Sequence, residues 1–164
     1  MGPHNTNTTP TQHQHNTNTT TGVNSAGLQA KQAVIAAALE HHALSPSTPT
    51  LNVLAAVGGA EIAAMVGAFL EASDTRTAAV VDGFVSGVAA LVAVRTQPAV
   101  AEVLFGSHCS AEKGTAVLLD ALQLAAPLNA SMRLGEGTGA VLAVGMLRGA
   151  AALFEMADLA DIVE

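Results

Sequence analysis

A largely apolar set of residues has helical spacing from Leu28 onward and consists of Leu28, Lys31, Gln32, Val34, Ile35, Ala38 and Leu39. The pattern predicts a first helix over residues 25–42. Two further helical patterns cover residues 50–57 and 60–72 and are separated by a pair of glycines. The folded part of the chain is therefore predicted to begin with three consecutive helices.

A short run of β-branched residues follows at residues 77–82, TAAVVD, and predicts a strand. Gly83 comes directly after it and leads into a helical pattern over residues 84–94. A further helical segment is predicted over 98–104, and a second short strand within 103–108. Strand, helix and strand in this order are typical of an α/β unit, because two parallel strands need a crossover between them.

The last third of the chain alternates in the same way. A helix is predicted over residues 115–122, an extended or irregular stretch over 128–135, and a long helix from residue 137 to about residue 160. Taken together, the elements predict a helix-rich α/β fold with a mostly parallel, Rossmann-like sheet.

Three residues at the ends of these elements are candidates for a ligand crevice. Ligands bind parallel sheets beyond the carboxyl ends of the strands, and Gly83, Ser110 and Glu136 each follow a candidate strand or extended run. At Gly83, free N–H groups at a helix start favour a phosphate, and a glycine needed only for the turn is the alternative. Ser110 and Lys113 also fit a phosphate, and an ordinary N-cap with a solvated lysine is the alternative.

Glu136 lies between two glycines in MRLGEGTGA, residues 132–140, in a chain of which only 12% is charged. The glycines let a planar substrate come close to the carboxylate. Because desolvation there strengthens the carboxylate as a proton acceptor, Glu136 is a candidate general base that we expect to be buried in the site. The residues alone leave a solvated loop charge as the alternative.

The other conspicuous residues are interpreted as structural. His108 and Cys109 lack the paired spacing of a zinc site, so no metal is expected. His41 and His42 end a helix, where a positive charge is favourable. A stripe along the last helix is predicted to be core or dimer surface and consists of Val141, Leu142, Val144, Leu147, Leu153 and Phe154.

Composition and charge exclude several classes of function. Half of the residues are apolar and only 2% are aromatic, which favours closely packed helices with small side chains. The six basic and thirteen acidic residues give a net charge of −7, so nucleic acid is not an expected partner. No uncharged apolar run reaches the ~18 residues of a membrane span. With one cysteine and no targeting segment, the sequence predicts a cytoplasmic protein.

Residues 1–21 differ from the rest of the chain. They are rich in Thr, Asn, His and Gln, and the hexapeptide HNTNTT occurs twice. Without apolar side chains to bury, this segment is predicted to be a disordered low-complexity tail, while residues 22–164 form the folded part. Weak metal binding by the tail histidines is the less favoured alternative.

Five strings of the chain resemble the nicotinate-nucleotide:dimethylbenzimidazole phosphoribosyltransferase family and occur in the order of that family. The strings are GLQAKQAVI (27–35), VLAAVGGAEIAAMVGA (53–68), VVDGF (80–84), SHCSAEKG (107–114) and MRLGEGTGA (132–140). The resemblance extends over about residues 21–164. It covers only the C-terminal half of the family's domain.

The resemblance implies an activity and a set of site residues. Family members transfer phosphoribose from nicotinate mononucleotide to 5,6-dimethylbenzimidazole, which gives α-ribazole 5′-phosphate and nicotinate and activates the lower ligand of cobalamin. Glu136 matches the general base. Lys31, Gly83 and Ser110 match positions that hold the phosphate, and Leu134 matches a residue that contacts the benzimidazole. The resemblance also implies a homodimer, and it implies no metal or cofactor.

The same comparison shows departures. The family's N-terminal half, which contributes benzimidazole contacts, has no counterpart, and TTTG at residues 19–22 stands where the family has RGTG. Two alternatives to an active enzyme therefore stay open. One is a truncated fragment, and the other is a catalytically silent nucleotide-binding or scaffold protein.

Overall fold

The computed structural model describes residues 25–109, 113–129, 132 and 135–154. Six α-helices are found in this part of the chain: α1 (Ser25–His41), α2 (Thr50–Val57), α3 (Ala60–Asp74), α4 (Phe84–Thr96), α5 (Lys113–Leu122) and α6 (Thr138–Leu153). Strands β1 (Ala79–Val81) and β2 (Leu104–Gly106) complete the fold, with a 3-10 helix (Pro98–Val103) before β2. The predicted elements are thus confirmed within a few residues at each end. Helix α6 is the exception, because it ends at Leu153 with Phe154 as its C-cap, whereas the sequence predicts a helix to about residue 160. Residues 155–160 and the predicted tail lie outside the described residues.

The two strands pair in parallel, with Val80 opposite Phe105 in the register. Helix α4 and the 3-10 helix connect them, which is the crossover that a parallel pair requires. An isolated parallel bridge between His108 and Leu128 adds a third segment beside the end of β2. The helix-rich α/β prediction is confirmed, and the sheet has two strands within the described residues.

The core lies where α3 and α4 cover the strands. Ala89, Ala90 and Ala93 of α4 are completely buried. Because these side chains are single methyl groups, neighbouring elements can approach the α4 backbone closely, as the composition predicted. Around them pack Val66, Phe69, Val81, Val100, Leu104 and Leu122.

Helix α1 has the predicted position, but its apolar side chains are not buried. No residue of α1 is buried, and its apolar Val34 and Ile35 are 69% and 60% exposed. Helical spacing is a local property of the sequence, whereas burial depends on a second surface that the described residues do not supply. Among the described residues, no helix combines the length and the apolar character that a membrane crossing requires.

Candidate active site

Polar groups converge at the carboxyl edge of the two strands. Asp82 directly follows β1, and Ser107 and His108 directly follow β2. Helix α4 begins at this edge, and the start of α6 is bound to it, because the carboxylate Oδ1 of Asp82 accepts a hydrogen bond from the Ala140 N–H at 2.9 Å. The edge therefore brings together the ends of both strands and the first turns of two helices.

Ser107 and His108 form a buried hydrogen-bonded pair with 1% and 7% exposure. The Ser107 hydroxyl donates to the backbone carbonyl of Asp82 at 2.7 Å and lies 2.9 Å from His108 Nδ1. A hydroxyl has one hydrogen, and a carbonyl can only accept, so Nδ1 of His108 carries a proton and donates to Ser107. His108 is thereby held in one ring orientation, with Nδ1 engaged in the protein.

Gly83 offers open space at the start of α4. A Cβ atom at this position would meet nothing within 4 Å. Its own N–H and that of Asp82 both donate to Ser86 Oγ at 3.0 Å. The amides of the first α4 turn have no acceptor inside the helix and are left for another partner. Gly83 has φ −140°, an extended conformation open to any residue, so the open space, rather than the backbone angle, distinguishes it.

Glu136 is part of an unusual backbone segment. Gly135, Glu136 and Gly137 have φ values of 75°, 56° and 77°, so all three are in the left-handed region. For Glu136 this conformation is disfavoured because of its Cβ atom. The segment leads directly into α6, whose third residue is the Ala140 bound by Asp82.

The carboxylate of Glu136 is exposed. The sequence context predicts a buried acid at this position, and within the described residues that prediction is wrong. The reason is local, because glycines on both sides have no side chains to cover the carboxylate, and a Cβ atom at Gly135 or Gly137 would meet nothing within 4 Å. Glu136 is accessible in this chain, and any desolvation must come from another molecule or chain segment.

The structure gives less information on the remaining predicted site residues. Lys31 is exposed on α1, a helix without buried residues, and no hydrogen bond or ion pair joins it to the described residues of the sheet edge. Ser110 and Leu134 lie outside the described residues. Among the described side chains, no group of three or more His, Cys, Asp or Glu is arranged to hold a metal ion.

Sequence reasoning missed the residues that join the segments. Asp82 enters the sequence interpretation only as the last residue of the predicted strand over 77–82, and His108 only as a possible zinc ligand. Ser107 and Gly139 were not considered individually. Gly139 lies against the His108 ring so closely that a Cβ atom there would overlap it. The available signal was the order strand, acid, glycine, which places a carboxylate at the edge of a parallel sheet.

An apolar pocket of about 390 Å³ lies apart from these polar groups, between β2 and the later turns of α6. Its walls include Phe105, Pro127, Met146 and Leu147. The described residues that line it contribute no charged or hydrogen-bonding side chain, so they favour an apolar occupant over a polar substrate.

Comparison with known proteins gives one consistent family. Residues 6–162 match the model of a family described as phosphoribosyltransferase. Two curated relatives named nicotinate-nucleotide:dimethylbenzimidazole phosphoribosyltransferase, from Desulforudis audaxviator and Pseudomonas putida, are each 49% identical over 142 residues. These alignments cover 86% of this chain and 40% of each relative.

A solved structure agrees with the sequence relatives. CobT from Thermus thermophilus superimposes with a TM-score of 0.77 at 42% identity. The match covers 84% of this chain and 40% of that one. The chain thus spans well under half the length of the proteins that it matches.

Proposed function

Because the chain belongs to the nicotinate-nucleotide:dimethylbenzimidazole phosphoribosyltransferase family, we propose that it transfers phosphoribose from nicotinate mononucleotide to 5,6-dimethylbenzimidazole. The products are α-ribazole 5′-phosphate and nicotinate, in the activation of the lower ligand of cobalamin. One observation carries the proposal. The 2.9 Å bond from the Ala140 N–H to Asp82 holds the start of α6, and with it the Glu136 segment, at the strand end that Gly83 follows.

Glu136 is the proposed general base. A ring nitrogen of the benzimidazole attacks C1′ of the ribose with its lone pair, and the bond from C1′ to the pyridinium nitrogen breaks. Its electrons return to the nicotinate ring, which leaves as a neutral pyridine. The proton on the other benzimidazole nitrogen passes to the Glu136 carboxylate. Since Glu136 is exposed and flanked by glycines, a planar ring can reach it and exclude water from it.

The phosphate of the nucleotide is proposed to bind at the start of α4. The open space at Gly83 admits an anion, and the unpaired amides at a helix start favour one. Lys31 and Ser110 are proposed to complete the phosphate site, and Leu134 is proposed to contact the benzimidazole. Local donors are needed because the net charge of −7 repels an anion at long range.

Three finer features of the family are proposed along with the activity. The two parallel strands and the bridge at Leu128 belong to a wider, Rossmann-like parallel sheet. Residues 22–164 correspond to the C-terminal part of the phosphoribosyltransferase domain, and residues 1–21 to a tail. The exposed apolar side chains of α6 support a homodimer. No metal or cofactor is part of the proposal, because the pyridinium ring of the leaving nicotinate loses its positive charge as the bond breaks and develops no negative charge that would need one.

The test is to incubate the purified chain with nicotinate mononucleotide and dimethylbenzimidazole and to measure released nicotinate. In Glu136→Gln, which keeps the size and removes the base, we expect kcat to fall by about a hundredfold or more. Glu71→Gln, on the exposed side of α3, is the matched control and should keep full activity. If folded wild-type chain releases no nicotinate, the proposal is rejected. Stabilisation by the mononucleotide without turnover would then identify a silent binding protein.

A further inference from the structure

Asp82 connects three segments of the chain at the sheet edge. Its backbone N–H donates to Ser86 Oγ at 3.0 Å, and its backbone carbonyl accepts from Ser107 Oγ at 2.7 Å. Its carboxylate accepts from the Ala140 N–H, 58 residues away in the sequence. These partners belong to the first turn of α4, the residue after β2 and the first turn of α6. The side chain of Asp82 thus supplies the long-range link to α6.

Helix α6 has no side-chain cap of its own. Its N-cap residue is Gly137, and no local side chain bonds to the first amides. The Thr138 N–H and hydroxyl both donate to the Gly135 carbonyl, at 3.1 and 2.7 Å. Ala140 is the third residue of the helix, and its amide has no acceptor inside the helix. Asp82 therefore performs the capping from another part of the fold, with a negative charge at the favourable end of the helix dipole.

The segment before α6 depends on this anchor. Three successive residues with positive φ, from Gly135 to Gly137, form the link to the helix. Glycine has many other conformations available, and the left-handed conformation is unfavourable for Glu136. The two hydrogen bonds from Thr138 to the Gly135 carbonyl tie this segment to the start of α6, so its direction follows that of the helix. Its orientation is set by the fixed point that follows it, the first turn of α6.

We propose that Asp82 is a positioning residue for Glu136. Its carboxylate holds the first turn of α6 against the end of β1 and so determines where Glu136, four residues before Ala140, presents its carboxylate. The inference rests on the proposed function, in which Glu136 accepts the proton. The bond itself is testable without turnover, so the two proposals can fail separately.

The experiment compares Asp82→Ala, which removes the acceptor, with Asp82→Asn, which keeps an oxygen acceptor and removes the charge. Amide exchange at Ala140 and the backbone order of residues 135–137 are measured by NMR, and nicotinate release is measured on the same samples. In Asp82→Ala we expect Ala140 exchange to rise about tenfold or more and the order of residues 135–137 to fall. We expect kcat to fall about tenfold or more, with a smaller change in KM for the mononucleotide.

Asp82→Asn should rescue most of the Ala140 protection and have a kcat between those of Asp82→Ala and the wild type. The control is Asp120→Ala on α5, an exposed carboxylate without a side-chain hydrogen bond to the described residues, which should match the wild type in every measurement.

Two results overturn the proposal. One is unchanged Ala140 exchange in folded Asp82→Ala. The other is an equal loss of kcat in both variants without any change in exchange or loop order, since the charge would then act on the substrate itself. If Asp82→Ala does not fold, the test uses Asp82→Asn instead. The positioning role is then overturned if Ala140 exchanges fast in Asp82→Asn while residues 135–137 stay ordered and kcat stays at the wild-type value. If the wild-type chain is inactive, the proposed function fails. The positioning role is still tested in that case, and it is overturned if Asp82→Ala leaves Ala140 exchange and the order of residues 135–137 unchanged.

Discussion

At the scale of single residues, the Ser107 side chain connects two other residues of the site. Its hydroxyl is the common partner of the Asp82 carbonyl and of His108 Nδ1, and the residue is almost completely buried. One hydroxyl thereby satisfies a buried imidazole and the carbonyl of a half-buried residue. Nothing in the sequence distinguishes this serine from the other serines of the chain.

Ser107→Ala is expected to lower the free energy of unfolding by about 2 kcal/mol, because the ring of buried His108 and the carbonyl of half-buried Asp82 both lose their hydrogen bond. Ser47→Ala, at an exposed position, should change it by no more than about 0.5 kcal/mol. Urea unfolding monitored by circular dichroism measures both. Equal effects of the two substitutions would show that the hydrogen bonds of Ser107 contribute nothing net to stability.

At the scale of elements, helix α6 contains two glycines with different surroundings. Gly139 is buried against the His108 ring, where a Cβ atom would overlap ring atoms. Gly145 lies on the same helix and is exposed, with nothing within 4 Å of a Cβ atom. The first glycine lets α6 approach the sheet edge, whereas the second only lowers helix propensity.

The two glycines should therefore respond in opposite directions to the same substitution. Gly139→Ala is expected to destabilise the protein by about 1–3 kcal/mol, because it forces α6 away from His108. Gly145→Ala is expected to stabilise it by about 0.5–1 kcal/mol through helix propensity. Thermal unfolding of the two variants beside the wild type provides the comparison. A neutral or stabilising Gly139→Ala would contradict the close contact.

At the scale of the whole molecule, the described residues leave large apolar surfaces without a partner. Leu142, Met146 and Leu153 share one face of α6 and are 53%, 48% and 64% exposed. Helix α1 likewise has no buried residue. Exposed apolar faces of this kind mark contact surfaces, and this chain matches only 40% of the length of its relatives.

The α6 face is expected to drive self-association of the purified chain. Sedimentation velocity should show a dimer whose fraction rises with protein concentration. Replacing both Leu142 and Leu153 by Glu should weaken the association about tenfold or more. Val117→Glu on α5, a position that is 70% exposed, is the matched control and should leave association unchanged. A chain that stays monomeric over a wide concentration range, or a control that acts like the double variant, would exclude α6 as the contact.

The sequence by itself determined the features that depend on neighbouring residues. Helical spacing predicted α1 and α6, β-branched residues predicted β1, and the glycines around Glu136 marked the unusual segment, because spacing and backbone preference act over a few residues. The five motifs also identified the family. Tertiary structure alone decided that Asp82 caps a helix 58 residues away, that Ser107 is buried, and that Glu136 and α1 are exposed. These features depend on which distant surfaces meet, and local pattern contains no information about that.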